Sequence, residues 1–296
     1  MIEIRNLNKS FEENHAINNL SCTLKEGIYG IVGQNGAGKS TTLRIISNVF
    51  YKDDGEVNVN GFDSTSLESR KEIFFLPDNP YFKSKNNLES VFNLYNDFYD
   101  IDKEKYFSLI KKFGLPLNQR LSNFSKGMRR QAFVALALST KTKILMMDEP
   151  FDGIDPLVIE EIKNDLLKEK ENGRLILLSG HNITTLERIV DSFIVISKGK
   201  VATMGTSDEL SSTLNKYQAF FKNEISIEDL KDYGINVITF KKVGSIYNFV
   251  VRENKVDVIE VIKNNFDPIL LETIPLDSDE IIAVQMLIAK EDNSNE

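Results

Sequence analysis

Cysteine is nearly absent from this chain of 296 residues: Cys22 is the only one, so no disulfide can form within it. Such a composition suits a reducing compartment. Histidine is almost as rare, with only His15 and His181. No apolar run approaches the ~20 residues needed to span a bilayer. The start, "MIEIRNLNKSFEENHAI", is charged and alternating, unlike the apolar core of a signal peptide. Positive charge is in deficit, with 36 Lys and Arg against 44 Asp and Glu and a net charge of −8. Backbone affinity for nucleic acid needs clustered cations, so no nucleic-acid partner is expected. Repeats and low-complexity segments are also missing. What remains, 41% apolar and 27% charged, is a soluble globular composition able to bury a large core and a second, smaller domain.

The first part of the chain alternates like strands in "IEIRNL" and "AINNLSCTL", then shortens to the buried-strand run "GIYGIVG". From Ser40 the spacing of "STTLRIISNVF" is helical, and from about Asn87 to Leu138 the chain is mainly helical. "KILMMD", "RLILLSG" and "SFIVIS" read as strands, the first two separated by the helix "PLVIEEIKNDLLKEKE", which is the pattern of a parallel α/β sheet. After about Gly205 the texture changes. "DELSSTLNKY" reads as a helix, "YQAFFK", "NVITFKKV" and "SIYNFVVRE" as strands, and "KVDVIEVIKNNF" as an amphipathic stretch. "PILLETI" is extended, and "DSDEIIAVQMLIAK" is a helix with Ser278 as its cap.

"GQNGAGKS", Gly33 to Ser40, fits G-x-x-x-x-G-K-[ST] between a predicted strand and a predicted helix. Glycines let backbone N–H groups close around phosphate oxygens, Lys39 reaches the terminal phosphates, and the Ser40 hydroxyl suits Mg²⁺. A chance match in such a chain is about one in a hundred, and the strand–turn–helix placement lowers it further. "ILMMDEP" then delivers Asp148 and Glu149 to the carboxyl end of a buried strand, where ligands of open α/β sheets bind. Alone, that would be an acidic turn. After a phosphate loop, Asp148 is placed to hold Mg²⁺ and Glu149 to deprotonate an attacking water. "FSKGMRRQ" reads as a basic helix start, capped by Ser125, with Lys126, Arg129 and Arg130 in water.

With these motifs in order, the chain resembles the nucleotide-binding subunit of an ATP-binding cassette (ABC) transporter from residue 1 to about 212. "FSKGM" stands where that family has LSGGQ, keeping Ser125 and Gly127 and replacing a glycine by Lys126 and a glutamine by Met128. "FDGID" matches the D-loop, ending in Asp155, and "LLSGH" brings His181 to the switch-histidine position. Phe11 falls where an aromatic stacks on adenine, and Asp78 in "FFLPDNP" takes the Q-loop position, where glutamine is usual. Gln131 stands where arginine is frequent.

The resemblance implies an α/β fold: a P-loop NTPase ABC cassette with a RecA-like core, an antiparallel β subdomain and a helical subdomain at about 85–140. Residues 213–296 form a small C-terminal α+β accessory domain. It implies an ATPase using ATP and Mg²⁺, with Phe11, Gly33, Asn35, Gly36, Ala37, Gly38, Lys39, Ser40 and Thr41 on the nucleotide. Asp148, Ser40 and Asp78 serve the metal; Glu149, His181 and Asp78 serve the chemistry. Two cassettes, identical or different, sandwich two nucleotides, and Ser125, Gly127 and Asp155 of one complete the site of the other. Phe92, Tyr95 and Tyr99 share a helical face in the core of the helical subdomain, and Tyr81 and Phe82 face a partner. That partner is a transmembrane permease, which places the chain in the cytoplasm, peripheral on the inner face of the membrane, powering export of a cargo chosen by the permease. A soluble ABC ATPase acting on ribosomes or DNA, or a binding-only regulatory cassette, stays open as an alternative.

Overall fold

The structure, a computed structural model, describes residues 1–253 and 256–292. Two compact units divide it, Met1–Val201 and Ala202–Glu296. Lys255, at the head of one expected amphipathic stretch, lies outside the described residues.

The first unit begins with β1 (Ile2–Phe11), β2 (Asn14–Leu24), β3 (Gly27–Val32) and α1 (Lys39–Ile46). It continues through β4 (Asp54–Val59), β5 (Phe62–Asp63), α2 (Leu67–Glu72) and β6 (Ile73–Leu76). A helical stretch follows, with α3 (Leu88–Asn96), α4 (Lys103–Lys112) and α5 (Lys126–Ser139). Then come β7 (Ile144–Asp148), α6 (Pro156–Glu171), β8 (Leu175–Ser179), α7 (Ile183–Glu187), β9 (Ser192–Ser197) and β10 (Lys200–Gly205), within which the unit ends.

These elements build an antiparallel sheet, β2-β1-β4-β5, and a second sheet in the order β10-β9-β3-β8-β7-β6. In the latter β3, β8 and β7 are neighbouring parallel strands, so their carboxyl ends lie side by side. Both sheets contribute to one core, with Leu7, Leu20 and Val57 from the first and Ile31, Met146 and Leu177 from the second. Leu43 and Ile46 of α1 join it, and α1 touches both β2 and β7. Each such Leu or Ile contributes about 1.5–3 kcal/mol on burial, which holds the head of α1 at the strand ends.

The helix α5 is buried along almost its whole length, from Arg130 through Ser139. The all-apolar run after Gln131 has no water-facing side. Phe92 stacks on Tyr106 of α4, as a helical core requires. Tyr95 packs edge-on against Phe133 of α5 in the helical core, and both Tyr95 and Tyr99 meet Phe74 of β6, so they also join the helices to the sheet. Tyr99 lies beyond the end of α3, where a shared helical face no longer applies.

The second unit contains α8 (Ser207–Ser211), β11 (Leu214–Phe221), α9 (Ile227–Asp232), β12 (Val237–Val243) and β13 (Ile246–Arg252), then α10 (Val258–Phe266), β14 (Pro268–Ile274) and α11 (Ser278–Asp292). Its antiparallel sheet runs β12-β13-β11-β14, and with α9 and α10 as crossovers this is the split βαβ, ferredoxin-like arrangement. Tyr217, Phe249, Leu230 and Ile262 form its main core, and Val284 and Ile288 of α11 cover Leu214 and Val250 on the opposite face. Three details differ from the sequence reading. The helix in "DELSSTLNKY" stops at Ser211, because Leu214 to Tyr217 pair with β13 as a strand. The unit starts earlier than residue 213, since α8 packs on α11 and the Gln285 amide donates to the Leu210 carbonyl at 2.6 Å. The cap of α11 is Asp277, whose Oδ1 accepts from the Glu280 N–H at 2.8 Å, and Ser278 already lies in the first turn.

Candidate functional site

Residues Gly33, Asn35, Gly36, Ala37 and Gly38 turn from the end of β3 into α1, which carries Lys39, Ser40 and Thr41 in its first turn. Gly38 has φ +111°, and a Cβ there would lie 2.6 Å from the Ala16 carbonyl oxygen, so no other residue fits without displacement. Gly38 is also the N-cap of α1 and supplies no side-chain acceptor. Every other α-helix of the described residues has a Ser, Thr, Asn or Asp cap whose side chain accepts a first-turn N–H. The first turn of α1 therefore has no side-chain cap, and N–H groups at a helix start suit an anion. Lys39 is buried, and its ammonium donates to the carbonyls of Gly33 at 2.8 Å and Gln34 at 3.3 Å, folding over the loop. Burial lowers its pKa, opposed by Glu149 and Asp148.

Beside this loop, Asp148 at the end of β7 is 1% exposed. Its Oδ1 accepts from Ser40 Oγ at 3.0 Å and from Ser179 Oγ at 2.5 Å. Its Oδ2 is buried and has no hydrogen-bond partner. A carboxylate oxygen orphaned next to a hydroxyl suits a hard cation that takes its remaining ligands from phosphate and water. The Ser179 hydroxyl also accepts from the Glu149 N–H at 3.0 Å, which follows from the β7–β8 register opposing Asp148 to Ser179. Glu149 itself has φ +51°, a left-handed conformation costly for a residue with a Cβ. That backbone turns its carboxylate toward His181, whose Nδ1 lies 2.9 Å from Glu149 Oε2. A cavity of about 240 Å³ opens beside the pair, lined also by Asp152, Ser179 and Asn182.

Ser125 caps α5, accepting from the Met128 N–H at 3.1 Å. Gly127 packs against the loop after Glu149; a Cβ on it would lie 2.1 Å from the Gly153 carbonyl oxygen. Lys126 forms an ion pair with Asp152 in that loop, and this hydrogen bond holds the Asp152 carboxyl below its usual range. Asp155 caps α6 through Leu157 N–H at 2.9 Å, so one of its oxygens serves the helix. Phe11 ends β1 with 41% of its surface exposed, its ring edge-on to Phe50 at 5.4 Å. It is therefore available for stacking and is not a core residue.

Two functional residues escaped the sequence reading. Ser179 links both carboxylate residues, yet in sequence it is only the last strand residue before "GH". Arg130, expected in water, is buried at 3% exposure. Its Nη2 meets Asp78 Oδ1 at 2.5 Å, and the other Asp78 oxygen accepts from the Asn79 amide at 3.2 Å. Both oxygens of Asp78, the residue expected at the metal, face protein donors here. The available signal was the apolar run after Gln131, which leaves a neighbouring arginine little access to water.

A phosphate loop at a helix start, with a strand-end Asp–Glu pair beside it, defines a P-loop nucleotide hydrolase. Residues 17–152 match the ABC transporter family model. EcsA of Bacillus subtilis, an ABC-type transporter ATP-binding protein, is 29% identical over 239 residues, which is 78% of this chain and 94% of EcsA. NatA of the same organism, an ABC transporter ATP-binding protein, is 30% identical over 224 residues, 71% of this chain and 91% of NatA. The solved dimeric ATP-binding cassette MJ0796, in a post-hydrolysis state bound to ADP and Pi, aligns with a TM-score of 0.59 at 25% identity. The alignment covers 70% of this chain and 98% of that one. The chain belongs to the ATP-binding cassette family of ABC transporters and is an ATPase. Subunits of this family dimerise and act with transmembrane components.

Proposed function

We propose that this chain powers export by a separate transmembrane permease, as one of two cassettes, identical or different, that close on ATP and reopen after hydrolysis. The observation that carries the reading is the continuous contact Ser40–Asp148–Ser179–Glu149–His181 at neighbouring strand ends beside an uncapped helix start. Phosphates bind on Lys39 and the N–H groups of α1, and Phe11 stacks on adenine. Asp148 and Ser40 would hold Mg²⁺, which when bound would neutralise charge on the phosphate oxygens. Glu149 takes the proton of the attacking water, and His181 fixes the Glu149 carboxylate and contacts the γ-phosphate. Ser125, Gly127 and Asp155 complete the nucleotide site of the second cassette. Among the described residues no helix is long and apolar enough to cross a membrane, so the reading takes the transport path from the permease and places this chain on the inner membrane face. The α+β unit after the cassette agrees with the exporter-type resemblance.

The test is light scattering of Glu149→Gln with and without Mg-ATP. Dimerisation on ATP supports a homodimeric engine. A monomer that binds ATP tightly points to a different second cassette, and a chain that binds no ATP sinks the reading.

A further inference from the structure

The guanidinium of Arg130 spans two segments that are distant in sequence. Its Nη2 donates to Asp78 Oδ1 at 2.5 Å, while Nη1 reaches the carbonyl oxygens of Pro77 and Asp148, each at 3.3 Å. The first two acceptors lie in the turn after β6; the third is the last residue of β7, immediately before Glu149. A buried cation is costly unless paired and hydrogen-bonded, and here one carboxylate and two carbonyls meet it. The planar fork of arginine can satisfy all three at once, which a lysine ammonium cannot do in the same plane.

We infer that Arg130 is a positioning residue for ATP hydrolysis, and that Asp78 acts through Arg130 and not on the metal or the attacking water. The inference rests on the reading of Asp148 and Glu149 as the catalytic pair. Arg130 holds the strand end that carries both. Glu149 sits there in a left-handed conformation, so its carboxylate depends on surrounding contacts to stay aimed at His181. The same guanidinium lines an open cavity of about 520 Å³ together with Tyr81, Phe82 and Arg129, and Arg129 lies over the Phe82 ring at 5.5 Å. A displacement of the 78–82 segment therefore reaches the Asp148–Glu149 strand end through two side chains, Asp78 and Arg130.

The test is steady-state ATP hydrolysis, with ATP and Mg²⁺ each titrated, for Asp78→Asn, Arg130→Met, Arg130→Lys and the Asp78→Asn/Arg130→Met double variant. Displacing a catalytic group by about 1 Å costs on the order of 100-fold, so Asp78→Asn and Arg130→Met are each expected to lose ~10- to 100-fold in kcat. The KM for ATP and the Mg²⁺ half-saturation should stay within about threefold of wild type. The double variant should be no slower than the slower single one, because both remove the same link. Arg130→Lys keeps the charge for Asp78 and should recover part of kcat. A purely structural role would lower the melting temperature yet leave kcat near wild type below it, and that result overturns the inference. So does a rise of tenfold or more in Mg²⁺ half-saturation for Asp78→Asn that Arg130→Met does not share. A wild-type chain with no hydrolysis under any of these conditions would overturn the catalytic reading itself, and the inference with it.

Discussion

Glu149 and His181 meet at 2.9 Å, Oε2 to Nδ1, although they follow the ends of two different strands, the parallel neighbours β7 and β8. The contact depends on a left-handed backbone at Glu149, with φ +51°, and on the Ser179 hydroxyl that receives the Glu149 N–H. The backbone of Glu149 is thus anchored by Ser179 and its carboxylate by His181, which together fix where that carboxylate stands.

Removing the charge of that carboxylate separates binding from chemistry. Glu149→Gln should bind ATP as wild type does and lose ~10²-fold or more in turnover, the usual cost of a missing general base. His181→Ala should also slow turnover, and the double variant should be no slower than Glu149→Gln alone, because the two act as a unit. Phosphate release measured beside nucleotide binding checks both, and wild-type turnover in Glu149→Gln would remove it from the mechanism.

Ser179 has no exposed surface, and its hydroxyl donates to Asp148 while accepting from the Glu149 N–H. Ser179→Ala leaves that half-buried N–H without its acceptor, at a cost of ~1 kcal/mol or more. It also removes one donor from Asp148. The variant should unfold earlier in urea and hydrolyse ATP more slowly. A change in stability alone would mean that the hydroxyl builds the sheet end but does not aim the site.

What the sequence disclosed follows the range of each interaction. The phosphate loop, the Ser125 cap and the "ILMMDEP" strand end are local, set by residue types a few positions apart, and could be read directly. The role of Ser179 could not, because it arises from the register of β7 against β8, across separate segments. Arg130 looked like a surface residue because its acceptors, Pro77, Asp78 and the Asp148 carbonyl, come from two other elements. In the second unit the strands were legible, while their order β12-β13-β11-β14 depends on pairing that no single stretch encodes. Asp277 displaced Ser278 as the cap of α11, a one-residue shift between two competent capping types.

Gly127 sets how closely α5 approaches the loop after Glu149. A Cβ placed there would stand 2.1 Å from the Gly153 carbonyl oxygen, which is backbone and cannot rotate away. Gly127→Ala should therefore push the two segments apart, costing ~1–3 kcal/mol as overpacking does. Gly173→Ala, at a turn with φ +80° and open space around it, serves as the comparison, since its cost is conformational only. Urea unfolding of both variants with ATPase assays distinguishes them: Gly127→Ala should lose activity beyond its stability loss, and Gly173→Ala should not.

Cys22 offers a chemical probe of the core that underlies the site. It lies in β2 against the cluster that includes Ile31 and Leu43, and burial pushes its thiol up to about 11. Thiolate is the reactive form. At pH 8 a group of pKa about 11 is ionised in about one molecule in a thousand, against about a quarter for an unperturbed thiol near 8.5. Alkylation of the native chain should thus run at least about 100-fold more slowly than in urea. The sign for stability follows: the native state keeps its proton where the unfolded state releases it, so this group stabilises the fold below the unfolded thiol's pKa. That contribution is lost as pH rises toward 11. Mass spectrometry of the alkylated chain at pH 8 gives both rates, and a native rate within a few-fold of the unfolded one would place Cys22 in contact with water.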